Sequence, residues 1–547
     1  MRVFSTGFEY TMDLKNRALR EIRDIIVREY RKGRMVSKRD IARIKRNVAK
    51  KYRLPVLPRD YEIFQILPED VKRDLRDFLK SKPVRTASGV AVVSVMTKPL
   101  PCPGQCIYCP GGVDSFRPSP KSYTGLEPAA RRAYQFAYDP YLQVKFRIQQ
   151  LEAIGHIPQK IEIIVMGGTF LAAPFVYKRW FIRGIYEGLL GKRYPDKSLE
   201  ELQIMLETAK YRLVGLTIET RPDFCKEKHV DEMLSYGTTR VEIGVQTLHD
   251  DVLKFVKRGH DVKTTREAFR ITKDAGLKIV AHMMLNLPPP DPDRDIEDFR
   301  ILFEDPDFRP DMLKIYPTAV IEGTELCEMW KRGEYIPYPD DILIETIAKI
   351  KRFIPPWVRI QRVQRDIPLT EVVAGYSTGS LREVVRKYMQ SKGWRCRCIR
   401  CREVGLNYIK YGKLPDEKWI KPVIRKYEAS LGEEIFISFE DIKNDILIGF
   451  IRLRKPSEYA HRKEVTQNTM LIRELHVYGP LVPIGEKPKY EWQHKGYGAK
   501  LLNYAEKIAV EEYDAKKILI ISGIGVREYY RKFGYKREGP YMSKKFE

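Results

Sequence analysis

The chain has 547 residues, room for two or three domains with separate cores, and carries 99 Lys and Arg against 73 Asp and Glu, a net charge of +26. No run approaches 18 apolar residues and none backs the charge at the N-terminus, so neither a membrane span nor a secretory signal is expected. With eight cysteines and no export signal, reduced cytoplasmic thiols are the default. The charge favours a polyanionic partner, nucleic acid above all, over a surface that is merely rich in ion pairs.

The positive excess is densest in residues 1–60, which hold 18 Lys and Arg against 7 Asp and Glu. Leu19, Ile22, Ile25 and Ile26 recur there at helical spacing. SKRD at 37–40 reads as a capping box ahead of Ile41, Ile44 and Val48, and Pro55 lies beyond the end. Two short basic helices are expected, within a helical extension over 1–80 that would bind phosphate. Tyr30 and Tyr52 lie among these charges, placed either for base stacking or for burial.

From about residue 85 six short apolar runs follow: 90–96, 161–166, 213–219, 240–246, 278–285 and 312–318. Helical stretches such as 263–277 separate several of them, which predicts a parallel sheet covered by helices. The expected α/β fold over 81–385 is a partial (β/α)6 barrel with its active site at the strand C-termini. Directly after the first run comes PCPGQCIYCPGG, with Cys102, Cys106 and Cys109 inside eight residues. An odd number of thiols so tightly spaced suits no disulfide framework, and structural zinc usually takes four protein ligands. Three thiolates suit a [4Fe-4S] cluster with its fourth iron open. With Tyr108 just before the third cysteine, this loop resembles that of the radical S-adenosylmethionine superfamily. The resemblance implies that Gly167 and Gly168 of VMGGTF approach the amino group of S-adenosylmethionine, although a tight turn also explains the pair. It further implies that Glu219 and Arg221 of TIETRPD and Gln246 of GVQ point into the barrel mouth. Each of these alone also suits an ion pair or a strand-end cap.

A second thiol group, Cys396, Cys398 and Cys401 in CRCIRC, marks a linker over 386–405. Three sulfurs suit zinc, with the fourth ligand open among His461, His476, Cys327 and water. Residues 406–547 then read as a separate α+β domain. EIFISFED and ILIGFIRLRK form an antiparallel pair, followed by the strand MLIRELHVYG, a helix from GAKLL, the strand KKILIIS and the helix VREYYRKF. QHKGYG at 493–498 opens the first of these helices, where free backbone N–H groups favour a pyrophosphate. QxxGxG after an antiparallel sheet resembles the acetyl-CoA signature of GNAT acetyltransferases. That likeness implies a tyrosine near the thioester, at Tyr530, and a core role suits one of Tyr529 and Tyr530 better than both. Glu474 is a candidate base, and His476 is either a pantetheine neighbour or a buried strand histidine.

The combination closely resembles the family of Elongator catalytic subunits, the tRNA uridine acetyltransferases. CIYCPGG, SYTGLEP, VMGGTF, TIETRPD, MLKIYPT, RVQRDIP, RELHVYG, QHKGYG and the C-terminal ISGIGVREYYRKFGY carry the likeness over nearly the whole chain. It implies that a 5′-deoxyadenosyl radical takes hydrogen from the acetyl methyl of acetyl-CoA. The carbon radical then adds to C5 of the wobble uridine, and thioester hydrolysis leaves 5-carboxymethyluridine. The two domains would have to pack face to face to bring the acetyl group to the barrel mouth. Implied acetyl-CoA contacts are Lys160, Glu474, Leu475, His476, Val477, Gly496, Tyr497, Gly498, Ala499, Lys500 and Tyr530, and Tyr316 would touch uridine or acetyl. The partner implied is the tRNA anticodon, its wobble base splayed into the mouth. The short CxxxCxxC spacing implies an archaeal or bacterial form that acts without other Elongator subunits, with a homodimer as the assembly to test. The rival expectation is a protein lysine acetyltransferase with a purely structural cluster.

Overall fold

The computed structural model describes residues 3–34, 37–54, 56–80, 86, 88–479 and 495–547. Two compact units emerge, residues 1–86 with 146–158 and residues 87–145 with 159–547.

In the first unit, α1 (Val3–Arg31), α2 (Lys38–Lys51), α3 (Asp60–Ile66) and α4 (Glu69–Leu79) bury one apolar cluster. Ala18, Ile22 and Ile26 of α1 meet Ile41 and Val48 of α2 and Ile63, Val71 and Leu75 of the later helices. The capping box forms: Ser37 Oγ accepts from the Asp40 N–H at 3.2 Å, and Asp40 Oδ2 accepts from the Ser37 N–H at 3.0 Å. The two helices expected up to Pro55 form as α1 and α2, but α1 is not short, running for 29 residues, and α3 and α4 follow. A long amphipathic helix needs a partner along its apolar stripe, and α3 and α4 supply it. Tyr52 donates to Glu21 Oε2 at 2.9 Å and Tyr30 donates to Asp74, so both phenols are engaged by carboxylates.

The second unit opens with β1 (Ala91–Met96), β2 (Lys160–Met166), β3 (Arg212–Thr220), β4 (Arg240–Gln246), β5 (Lys278–Leu285) and β6 (Met312–Pro317). After the two-residue β7 (Val320–Ile321) comes β8 (Arg359–Val363), and β9 (Val372–Ala374) pairs with β7. The large sheet is all parallel in the order β1-β2-β3-β4-β5-β6-β8, so the half-barrel has seven strands rather than the six expected. RIQRV of β8 has only two buried positions, at Ile360 and Val363, and so does not read as an apolar run.

The C-terminal sheet comprises β10 (Ile420–Ala429), β11 (Gly432–Asp441), β12 (Ile446–Lys455), β13 (Thr469–Val477), β14 (Lys517–Ile520), β15 (Lys536–Glu538) and β16 (Tyr541–Lys545). Its order is β10-β11-β12-β13-β14-β16-β15, antiparallel except where β13 meets β14. That parallel pairing covers only Thr469–Ile472 against Lys517–Ile520. A bulge at Arg473 then turns β13 away, and Glu474 to Val477 pair with β12 alone. The parting strands leave a cleft that starts at Glu474.

The acetyltransferase-like domain packs on the barrel, but at the rim of strand N-termini and not at the mouth. Arg473 donates to the Leu277 carbonyl just before β5 and to both oxygens of Asp311 just before β6. Arg452 donates to the Trp357 carbonyl ahead of β8, and His476 Nε2 lies 3.2 Å from the Ser88 carbonyl ahead of β1. Gly523 and Gly525 lie so close to Arg212, Leu213 and Val214 at the start of β3 that a Cβ on either would overlap that backbone. The face-to-face packing expected at the mouth is therefore replaced by contact at the opposite end of the strands. The reason is electrostatic. Asp311, Asp274 and Glu434 gather buried Arg473, Arg452 and Arg454 at that rim, where the loops are short.

Candidate active site

The cysteine loop follows β1, and parallel strands bring all their C-termini to the same end, so the loop opens onto the mouth. One cavity there is lined by Cys102, Cys106, Cys109, Gly168, Glu219, Arg221, Gln246 and Tyr316, eight residues expected from the sequence to meet. Gly167 and Gly168 have φ of +143° and +81°, conformations that favour glycine. A side chain on Gly167 would overlap Thr97. The Gly167 N–H donates to Glu219 Oε2 at 3.3 Å, and Tyr123 donates to both Glu219 oxygens at 3.0 and 2.9 Å. Gln246 sits at φ +78° with its Oε1 buried and unpartnered, as are Thr220 Oγ1 and Glu242 Oε1, all three lining the cavity. Buried polar atoms without partners are costly, and here they converge on one pocket, as a polar cofactor requires.

The surroundings of the three thiols fit an anionic cluster. Arg258 donates through Nη1 to Cys106 Sγ at 3.4 Å and through Nη2 to the Gly244 carbonyl at 2.8 Å. Arg221 is fixed by Asp223 through bonds of 2.9 and 3.1 Å, yet its Nη1, like Arg258 Nε, is buried without an acceptor. A Cβ on Gly104 would overlap Arg221 Nη1, so a larger residue there would push the guanidinium aside. The triad Cys396, Cys398 and Cys401 gathers its sulfurs within 4.8 Å of one another, a spacing for a single ion. Arg258 was not anticipated from the sequence, because nothing in KRGH distinguishes it from a solvated arginine.

Inside the half-barrel a file of polar side chains runs from the mouth towards the other rim. Lys314 and His282 both bond Glu242 Oε2, His282 at 3.0 Å, and the His282 ring packs edge-on to Tyr316 at 5.4 Å. Burial pushes the Glu242 carboxyl up, but Lys314, His282 and Arg240 outweigh it and hold the group well below the usual range. Burial, with Lys314 next, lowers His282 and keeps it neutral. Further down, Arg240 pairs with Glu162 across β3, where Gly215 leaves room for the Glu162 side chain to pass. Arg365 lies over the rings of Tyr123 and Tyr316 at 5.2 and 5.3 Å.

Of the remaining expected residues, Lys160 lies at the N-terminal rim and the others in the domain that packs there. Lys160 begins β2, where burial lowers its pKa, and its register partner Arg212 abuts Gly525. Glu474 accepts from Arg452 Nε at 2.9 Å. Burial raises its pKa, but Arg452 and Lys278 prevail and the carboxyl stays low, so it is ionised and a weak base. Leu475, His476 and Val477 follow along the parted half of β13, with the His476 ring 4.2 Å from that of Tyr478. Gly496, at φ +82°, precedes the helix Tyr497–Tyr513, whose first turn holds Gly498, Ala499 and Lys500. Gln493 and His494 of the expected signature lie outside the described residues. Tyr530 is only 5% exposed, and burial, with Tyr529 and Glu474 next, raises its pKa well above the ordinary value. Its neighbour Tyr529 reaches the helix start, its hydroxyl 2.7 Å from where a Cβ on Gly498 would stand.

For the triad Cys396, Cys398 and Cys401, none of the protein candidates for a fourth ligand is at hand. His461 bonds Asp231 at 2.9 Å, His476 faces Ser88 and Cys327 faces Glu322 at 3.5 Å. Thiols of Cys396 and Cys401 donate to Cys398 and hold it well below its usual pKa.

Comparison with known proteins agrees with this layout. Residues 15–87 match the ELP3 N-terminal domain, 101–303 the radical SAM superfamily, 310–391 the radical SAM C-terminal domain and 409–535 the acetyltransferase (GNAT) family. A tRNA uridine(34) acetyltransferase of Methanocaldococcus jannaschii is 52% identical over 98% of this chain and 99% of its own. Elongator complex protein 3 of Saccharomyces cerevisiae is 48% identical over 91% of this chain and 90% of its own. The chain belongs to the Elongator complex protein 3 family. Within that family, the solved archaeal Elp3 of Methanocaldococcus infernus, lacking an N-terminal stretch, is 50% identical, with a TM-score of 0.75 over 84% of this chain and all of that one. Membership accounts for both halves of the fold, a radical SAM half-barrel and a GNAT domain. No helix of the described residues is long and apolar enough to cross a membrane.

Proposed function

We propose that this chain is a tRNA uridine(34) acetyltransferase that builds 5-carboxymethyluridine at the wobble position. The observation that carries the reading is the full-length match to relatives of that name, in a chain that matches both the radical SAM and the GNAT families. Cys102, Cys106 and Cys109 would hold a [4Fe-4S] cluster, and the cavity they share with Gly168, Glu219, Arg221 and Gln246 would hold S-adenosylmethionine. Bound there, the pair supplies a carbon-centred radical able to take hydrogen from the acetyl methyl group. Tyr316 and Arg365 flank the mouth where a splayed uridine would enter. Acetyl-CoA would bind at the other rim, its pyrophosphate on the Gly496–Lys500 turn and its pantetheine along Glu474–Val477, with Lys160 and Tyr530 beside the thioester.

This arrangement asks something of the protein that the sequence alone does not. The seven residues of β2 separate the two rims by about 23 Å at 3.3 Å per residue. The acetyl arm would therefore follow the polar inner wall formed by Glu162, Arg240, Glu242, Lys314 and His282. Glu474, low in pKa and paired with Arg452, orients and does not abstract protons. The Cys396, Cys398 and Cys401 group would hold zinc, with water as the fourth ligand. The chain is proposed to act in the cytoplasm, as a homodimer and without further Elongator subunits.

The test is nucleoside mass spectrometry of uridine-wobble tRNA incubated anaerobically with reconstituted protein, reductant, S-adenosylmethionine and acetyl-CoA. A carboxymethyl mass gain on uridine, lost in Cys106→Ser, is expected. Lysine acetylation without S-adenosylmethionine, and no modified uridine, would favour the protein acetyltransferase instead.

A further inference from the structure

We propose that Arg258 is a positioning residue for the cluster, holding Cys106 through its guanidinium and raising the reduction potential of the bound iron–sulfur group. The inference rests on the reading of Cys102, Cys106 and Cys109 as cluster ligands. Its basis is geometric. The side chain follows the helix Asp250–Phe255 and reaches back beneath the cysteine loop, where Nη1 donates to Cys106 Sγ at 3.4 Å. Nη2 is anchored on the Gly244 carbonyl at 2.8 Å, at the end of β4. The remaining nitrogen, Nε, is buried and has no acceptor, and no carboxylate among the described residues bonds the group.

A guanidinium is never deprotonated in a protein, and an unpaired buried cation is expensive. Only 8% of Arg258 is exposed, and the sulfur of Cys106 is the acceptor its Nη1 faces. Its site is built to keep it there. Gly244 carries no Cβ, and one placed on it would stand 2.5 Å from Nη2. Arg221, also buried with an unpartnered Nη1, lies against Gly104 on the same loop. Two fixed positive charges therefore face the loop that carries the three cysteine sulfurs.

One-electron reduction adds a negative charge to the cluster. An N–H bond to a ligating sulfur and a nearby cation stabilise the reduced form more than the oxidised one, so the potential rises. Arg258 also tightens Cys106 in its ligating rotamer through a charge-assisted bond. Gln246 and Glu219, in the same cavity, are free of this task.

Full-length wild-type protein, Arg258→Met and Arg258→Lys are reconstituted anaerobically, assayed for iron and sulfide, and titrated potentiometrically with the reduced cluster followed by electron paramagnetic resonance. Arg258→Met is expected to lower the reduced-to-oxidised ratio at fixed potential about tenfold, a shift of about 59 mV for one electron. Arg258→Lys keeps the charge and is expected to regain more than half of it. A Met variant that loads its cluster and titrates with wild type overturns the inference, and so does a Lys variant no better than Met. If Arg258→Met does not fold, Gly244→Ala displaces the intact guanidinium instead, and an unchanged potential there is equally fatal. Wild-type protein that binds no iron and sulfide would sink the cluster reading itself, whereas a loaded wild type with unshifted variants sinks only the role of Arg258.

Discussion

Burial changes what single residues can do in this protein. Asp295 accepts from the Asn286 N–H at 2.7 Å and from the Tyr338 hydroxyl, bracing the turn that leaves β5 near the mouth. Burial raises its carboxyl to about 7 despite those donors. An unfolded aspartate titrates near 3.9, so between about pH 4 and pH 7 the folded state holds a proton that the unfolded state has lost. This contribution to stability is complete below pH 4 and is lost as pH rises through 7. Asp295→Asn removes the titration. Its stability relative to wild type should improve by about 2 kcal/mol between pH 5 and pH 8 in urea denaturation. A pH-independent difference would show that the carboxyl is not protonated in the fold. At this same scale CxxxCxxC was legible because thiols so spaced have few other uses. Arg258 was not, because an arginine reveals its role only through what lies above it.

Among the elements, α2 shows how local code and surface charge coincide. Its capping box was readable from four letters, since both hydrogen bonds are local. The same helix exposes Arg39, Arg43 and Arg46 at spacings of four and three, so they share one face. If that face meets tRNA phosphate, replacing all three by alanine should flatten the slope of log affinity against log salt by about 2. Filter binding or anisotropy from 50 to 300 mM salt would measure it, and an unchanged slope would place the tRNA elsewhere. α3, α4 and β8 escaped the sequence reading. α3 and β8 are short and stabilised by what they pack against, so their own apolar periodicity is weak, whereas α4 carries Val71, Leu75 and Leu79 at helical spacing and was readable.

At the scale of the whole molecule, the domain contact is ionic and buried. Arg473 is fully buried between Asp311, Glu434 and the Leu277 carbonyl, and its loss leaves Asp311 with Arg452 as its remaining ion-pair partner among the described residues, with Lys273 nearby. Arg473→Met should cost about 3–5 kcal/mol, as breaking a buried pair does. It should also split chemical denaturation into two transitions as the domains uncouple. One cooperative transition at wild-type stability would show that the contact is not what joins them. The sequence by itself determined the chemistry and the kind of each domain, because ligand spacing, glycine turns and strand periodicity are local properties of the chain. Only the tertiary structure decided that the acetyltransferase-like domain packs at the rim opposite the cysteine loop. Which rim a domain covers depends on buried charges far apart in sequence, Asp311 with Arg473 and Asp274 with Arg454, and no local pattern encodes such a pairing.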